Sequence, residues 1–219
     1  KATTSDGRAV AVKVLRPNIE AAFEHDLQTF FWAAHLIDRN VAEAKRLKPI
    51  QVITSMAETI ALEIDLRMEA AAASELRENT VGDSGFRVPE IDWPRTGKRV
   101  LTSEWIDGIP INNRAEILAA GHDTKKLAAH LIRNLLLQVM RDGFFHADLH
   151  QGNLFVDEGS NIVAVDFGIM GRLDRPARRY LAETLGGFHT GDYRRIAEVH
   201  FEAGYVPRHK SVASFAQAI

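Results

Sequence analysis

Asp148, Asn153 and Asp166 constrain this chain more tightly than any other residues in it. Two of them lie in His146-Ala147-Asp148-Leu149-His150-Gln151-Gly152-Asn153, and the third opens Asp166-Phe167-Gly168. The order is H-x-D-L-x-x-x-N and then D-F-G, with Asp148 five residues before Asn153 and Asn153 thirteen before Asp166. Between them run Leu154-Phe155-Val156-Asp157, a Glu158-Gly159-Ser160-Asn161 turn, and Ile162-Val163-Ala164-Val165. Two short apolar runs around a Gly-containing turn predict a hairpin whose ends bring Asn153 and Asp166 into one small space. A polar hairpin with accidental spacing accounts for the Gly and the Asn, but not for three matched polar positions in order.

Phosphoryl transfer needs this layout. One carboxylate orients the attacking group, while an amide and a second carboxylate hold Mg²⁺ against the phosphates. The spacing matches a kinase catalytic loop and its metal-binding turn. Upstream, residues 1–16 read as a hairpin turning at Ser5-Asp6-Gly7-Arg8, with Ala9 to Leu15 as its β-rich arm. Lys13 is the one charge in that arm. Alone it reads as an edge lysine reaching solvent. Ahead of the loop and D-F-G, Val10-Ala11-Val12-Lys13 matches the V-A-I-K strand, whose lysine pairs the α/β-phosphates.

Such a lysine needs a carboxylate from a neighbouring helix. Helical periodicity runs over 18–46 through Phe23, Leu27, Phe30, Ala34 and Ile37. Pro49 then predicts the start of a second long helix, about 50–78, with Glu58, Asp65 and Glu69 on neighbouring positions of one face. Glu58 reads as a solvated charge. Glu69, beside Ala70 to Ala73, is the candidate partner of Lys13, the alanines allowing close approach of helix to sheet.

Lys98 to Ile106 is the expected partner strand, and Glu104-Trp105-Ile106-Asp107-Gly108 the crossing where backbone groups of Glu104 and Ile106 would read an adenine edge. Asp123 predicts an N-cap for a helix reaching Asp142 and stopped by Gly143, which positions the loop that follows. After Gly168 only Ile169 to Leu173 precede a helix capped by Asp174, with Pro176 in its first turn. Another helical stretch follows Gly191 and ends near Gly204.

Several classes are excluded by composition. The 219 residues are 46% apolar, enough for a sizeable core. A net charge of −2 with scattered basic residues gives no footprint for nucleic acid. No cysteine means no disulfide framework and no thiolate metal site. No apolar run approaches the roughly 20 residues of a membrane span, and no signal peptide is evident. The chain opens at Lys1 without a Met and stops at Ile219 inside a helical pattern, which reads as a fragment.

These motifs together resemble the UbiB/ADCK family of atypical kinase-like proteins over nearly the whole chain. Glu63-Ile64-Asp65 is similar to the family's E-x-D motif, six residues before Glu69, and Glu104 to Gly108 to its hinge. His146-Ala147-Asp148 has alanine in place of the usual arginine, as this family does. The resemblance implies an α+β, protein-kinase-like two-lobe fold, with 1–106 a partial N-lobe and 107–219 the C-lobe. It implies binding of ATP with Mg²⁺, support of ubiquinone biosynthesis, and a quinone precursor or lipid as partner at a membrane, within a biosynthetic complex. The parent would sit on the cytoplasmic face of the inner membrane, with this fragment soluble.

By that resemblance Lys13, held by Glu69, positions phosphates, Asn153 and Asp166 hold the metal, and Asp148 orients a hydroxyl or water. Glu63 and Asp65 would restrict the site and tune nucleotide use. The family's alanine-rich nucleotide loop and K-x-G-Q segment would lie before Lys1, and its membrane segments beyond Ile219. No A-P-E follows the D-F-G, and about five residues cannot build a peptide-docking segment. Ala147 also removes the arginine that a phosphorylated activation loop engages. Both point away from protein substrates. A hydroxylase activity finds no G-x-G-x-x-G fingerprint or haem or iron constellation.

Other readings remain. An aminoglycoside- or choline-type phosphotransferase shares the loop but does not explain Glu63-x-Asp65 with Glu69. A pseudokinase scaffold would bind nucleotide or lipid without chemistry. His146-x-Asp148-x-His150 would suit a metal hydrolase if all three shared a strand face. His146 is otherwise expected to brace the loop, and His150 has no assigned role.

Overall fold

The computed structural model describes residues 1–41, 46–207 and 209–219. The first sheet has the order β1-β2-β4, formed by Ala2–Thr3 (β1), Ala9–Val14 (β2) and Val100–Glu104 (β4). Gly7, at φ +86°, makes the turn between β1 and β2 in the left-handed region open to glycine. β2 and β4 are antiparallel, with Lys13 opposite Leu101.

Among the described residues, two α-helices lie between β2 and the helix that carries Glu69. The expected 18–46 helix is found as α1, Ile19–Asn40. Part of the remainder of that span, 42–45, lies outside the described residues. α1 packs on α2, Pro49–Glu63, and Phe23, Leu27 and Phe31 of α1 line a shallow cleft with Ala57 and Ile60 of α2 and with Ile64 just after it. Phe30 and Ile37 of the expected stripe stay exposed.

The single helix expected over about 50–78 is two helices. α2 ends at Glu63, and α3, Leu66–Asn79, begins after Asp65. Asp65 is extended at φ −105°, ψ 96° and accepts the Arg67 N–H at 3.1 Å. An aspartate that caps a new helix cannot also continue the previous one. Glu58, Asp65 and Glu69 therefore do not share one helical face. The break is what turns α3 toward the sheet: Leu66, Ala70, Ala73 and Leu76 are at most 2% exposed, within the core.

The second sheet has the order β3-β8-β7-β5, with Phe86–Arg87 (β3), Ile162–Ala164 (β8), Leu154–Val156 (β7) and Ile109–Pro110 (β5). β7 and β8 form the expected antiparallel hairpin, Leu154 opposite Ala164. β3 runs parallel to β8, so a segment before the crossing at 104–108 is hydrogen-bonded beside the strand leading to Asp166. One core joins these parts, Leu76 and Leu101 clustering with Phe144, Leu154, Ile162 and Phe167.

After the short α4, Arg114–Ala119, α5 covers Thr124–Leu137. Asp123 caps α5 as expected, accepting from the Lys125 and Lys126 N–H groups. The helix does not run on regularly to Asp142. A π-helical turn, Gln138–Asp142, closes it, and Gly143 at φ +68° ends it. A side chain at Gly143 would also meet the Leu173 carbonyl at 2.5 Å, so glycine is required twice over. Phe144–His146 (β6) then pairs with Met170–Arg172 (β9), His146 opposite Met170. α6 (Arg175–Thr190), capped by Asp174, α7 (Tyr193–Glu202) and α8 (Val212–Ala218) pack in sequence. None of the described helices is long and apolar enough to cross a membrane.

Candidate active site

Lys13 reaches the site from β2, Glu69 from the first turns of α3, and Asp166 from the end of the β7–β8 hairpin. Lys13 Nζ donates to both Glu69 carboxylate oxygens at 2.8 Å and lies 3.5 Å from Asp166 Oδ1. Burial works against the ammonium, but Glu69 and then Asp166 outweigh it and hold Lys13 above its ordinary value. Burial likewise pushes the Asp166 carboxyl up, and the Gly168 N–H with Lys13 overcomes that and holds it below the usual carboxylate range. Both groups stay charged at neutral pH. A cation between two carboxylates, partly open to solvent, is ready to exchange some of that attraction for phosphate.

The hairpin register sets Asn153 opposite Val165, the residue before Asp166. Leu154 opposes Ala164, and the Val165 N–H donates to the Asn153 carbonyl at 3.1 Å. The Asn153 amide makes no side-chain hydrogen bond among the described residues. Asp166 and Asn153 supply a carboxylate and an amide oxygen, hard donors that suit Mg²⁺. Mg²⁺ in phosphoryl transfer takes few protein ligands and completes its shell with phosphate and water. The donor set therefore fits that ion.

Asp148 sits in the loop between β6 and β7, with its side chain 48% exposed. His146 braces it. The buried imidazole accepts the Asp148 N–H on Nδ1 at 3.2 Å, and its Nε2 hydrogen-bonds the Asp166 carbonyl. Burial, against the pull of the Asp166 carbonyl and nearby carboxylates, holds His146 below the usual imidazole range. It is therefore neutral at pH 7, with Nε2 the donor. Both ring nitrogens are engaged by protein, so His146 has no lone pair for a metal. His146 ends β6 whereas Asp148 and His150 lie in the loop, which removes the shared strand face that a hydrolase site requires.

Sequence reasoning missed Gln138. Its side chain is fully buried in the π-helical turn, and its Oε1 accepts the His146 N–H at 3.2 Å. The pattern that marks it is a pair of polar residues four apart, Asn134 and Gln138, on the apolar stripe that runs from α5 into the π-helical turn, and both are buried. Asn134 donates to the Ser84 carbonyl at 3.0 Å, tying α5 to the turn before β3.

The crossing lines a cleft of about 330 Å³ with Ala11, Ser103, Ile106, Gly108, Phe155 and Val165 around it. The Glu104 N–H donates to the Glu90 carbonyl at 2.8 Å and its carboxylate accepts from the Arg87 side chain, so of its two backbone groups the carbonyl is the one an adenine contact could use. A second cavity, about 670 Å³, opens beside the lysine, between α3 and the segment after Phe167. Glu63 and Asp65 both line it, as do Lys13 and Glu69. Asp65 is held by Arg67 at 2.6 Å, while Glu63 is exposed at the end of α2.

A family model described as the ABC1 atypical kinase-like domain matches residues 1–200. The chain is similar to a protein named probable protein kinase UbiB from Marinobacter nauticus, 41% identical over 222 residues, spanning 100% of this chain and 41% of that protein. A protein of the same name from Xylella fastidiosa is 42% identical over 214 residues, spanning 95% and 39%. The chain thus covers about 40% of the length of these curated relatives. Among solved structures, the complex of Rv3197 with erythromycin from Mycobacterium tuberculosis matches with a TM-score of 0.69 at 25% identity, covering 94% of this chain and 51% of that one. The fold is kinase-like.

Proposed function

The chain belongs to the ABC1 family of atypical kinase-like domains, to which UbiB proteins are its relatives, and we propose that it carries the ATP-using centre of a UbiB-type phosphotransferase or ATPase. The observation that carries this reading is Lys13 Nζ, held at 2.8 Å by Glu69 and 3.5 Å from Asp166, three residues drawn from distant parts of the chain. In this reading residues 1–106 and 107–219 act as two lobes around the nucleotide. The Glu104 carbonyl and Ile106 N–H face the adenine edge. Lys13 contacts the α/β-phosphates, and Asn153 with Asp166 hold Mg²⁺. Mg²⁺, when bound, neutralises charge on the transferring phosphoryl group. Asp148 orients the acceptor oxygen and receives its proton. Glu63 and Asp65, at the neighbouring cavity, restrict access and tune nucleotide choice.

The acceptor is a small or lipid-like hydroxyl compound, or water, rather than protein. β9 supports this. The chain folds straight back from Gly168 to pair Met170–Arg172 with β6, and α6 is already capped by Asp174, leaving no platform for a peptide. In the same reading, through the resemblance to UbiB/ADCK proteins, the centre supports ubiquinone biosynthesis at a membrane, with a quinone precursor as partner.

The test is Mg²⁺-dependent phosphate release by the protein at its natural length, with and without membranes and phenolic quinone analogues. Asp166→Asn abolishes it; unchanged turnover would sink the mechanism. A nucleotide-induced rise in melting temperature without any phosphate release would favour a scaffold.

A further inference from the structure

Two histidines flank Asp148, and the loop fixes each ring by the same device. His146 Nδ1 accepts the Asp148 N–H at 3.2 Å, and His150 Nδ1 accepts the Gly152 N–H at 3.1 Å. A neutral imidazole that accepts on Nδ1 carries its proton on Nε2. For His146 that proton goes to the Asp166 carbonyl. For His150 it faces the Asp148 carboxylate, with Nε2 3.7 Å from Oδ2.

The loop is shaped to hold the second ring there. A Cβ on residue 152 would stand 2.9 Å from His150 Cε1 and 3.0 Å from Nδ1, so the absence of a side chain at Gly152 gives the imidazole its place. The backbone is held on both sides: the His150 N–H donates to the Asp148 carbonyl at 2.9 Å, and the His150 carbonyl accepts the Asn153 N–H at 3.0 Å. An exposed loop histidine with no task would need neither the ring contact nor the fixed tautomer.

We propose that His150 is a positioning residue for Asp148, its Nε2–H holding Oδ2 so that Oδ1 faces the acceptor hydroxyl or water. This rests on the reading of Asp148 as the residue that orients the acceptor. A separation of 3.7 Å is just beyond a hydrogen bond, and catalytic contacts commonly shorten when the reactants arrive. A half-exposed carboxylate without this restraint rotates freely. Misplacement by about 1 Å costs up to about 100-fold in rate.

The experiment is steady-state phosphate release at saturating Mg-ATP by the protein at its natural length, with melting curves to confirm folding. His150→Ala and His150→Phe are expected to lower kcat by about 10- to 100-fold while leaving KM for ATP unchanged. His150→Gln, whose amide nitrogen reaches the place of Nε2, retains most of the rate. Gly152→Ala lowers kcat in the parent sequence but adds nothing to His150→Ala, a non-additivity expected only if its effect passes through the ring. Wild-type kcat in His150→Ala overturns the proposal. So does a tolerated Phe with a failed Gln, which marks ring packing, and so do strictly additive losses. Asp148→Asn separates the two levels. Loss of turnover there with normal His150→Ala removes only the role of His150, whereas turnover surviving Asp148→Asn removes the underlying reading.

Discussion

The two halves of the site are built in opposite ways. The loop from His146 to Asn153 is folded on itself by bonds between near neighbours, His146 to Asp148, His150 to Gly152 and Asn153 to His150. It is anchored to the rest of the fold at its two ends, through His146 and Ala147 on one side and Asn153 on the other. The Lys13–Glu69–Asp166 cluster has almost no local support. Its members come from a strand, a helix and a hairpin, and they meet because α3 packs Ala70, Ala73 and Leu76 into the common core. A locally built loop keeps its shape when the rest of the molecule loosens. A cluster assembled from afar is only as exact as the packing beneath it.

The largest stability effect should come from undermining the cluster at its base. Leu76→Ala removes a fully buried side chain beneath α3 and is expected to cost about 2–5 kcal/mol in chemical denaturation. Equal loss of hydrogen-exchange protection in the 146–153 loop and in α3, below the global transition, would erase the contrast between the two halves. Ala70→Leu comes next. Overpacking a site with no exposed surface is expected to cost about 1–3 kcal/mol and to push Glu69, its neighbour, off Lys13. Turnover should fall further than stability explains; turnover tracking the folded fraction would refute this.

Asp123→Ala, which uncaps α5, should cost about 1 kcal/mol and leave kcat of the folded protein unchanged. A selective loss of kcat would show that the loop depends on its helix more than its own contacts suggest. The smallest effect concerns Asp65. Its hydrogen bond to the Arg67 side chain, opposed by burial, lowers its pKa from 3.8 to about 2. Because the folded value is depressed, its contribution is complete above 3.8 and fades as pH falls toward 2. NMR titration should find the low midpoint, and Arg67→Ala should return it toward 3.8; an Asp65 midpoint already at 3.8 would contradict the cap geometry.

This contrast also explains what could be read from the sequence. The loop residues and the β7–β8 hairpin were legible because their spacing is their structure. Glu69 was found by the need of a lysine for a carboxylate, although the helix carrying it was drawn too long. The break at Ile64–Asp65 leaves the apolar periodicity intact on both sides, and only Asp65 turning from helix face to cap reveals it. The engagement of the Glu104 N–H by Glu90 was invisible, since a backbone bond depends on where a distant strand falls and not on a side chain. Gln138 was hidden by its apolar neighbours, which made the stripe of α5 look continuous.

The parallel pairing of β3 with β8 has a consequence for how the molecule comes together. Phe86–Arg87 has to wait for Ile162–Val163, and closing so long a loop is entropically costly and slow. During synthesis the segment carrying Lys13 and Glu69 emerges well before the hairpin that pairs with Phe86–Arg87 and leads to Asp166. The site should therefore be among the last parts of the chain to mature, and a nascent chain released before β8 should have neither the parallel ladder nor a competent lysine.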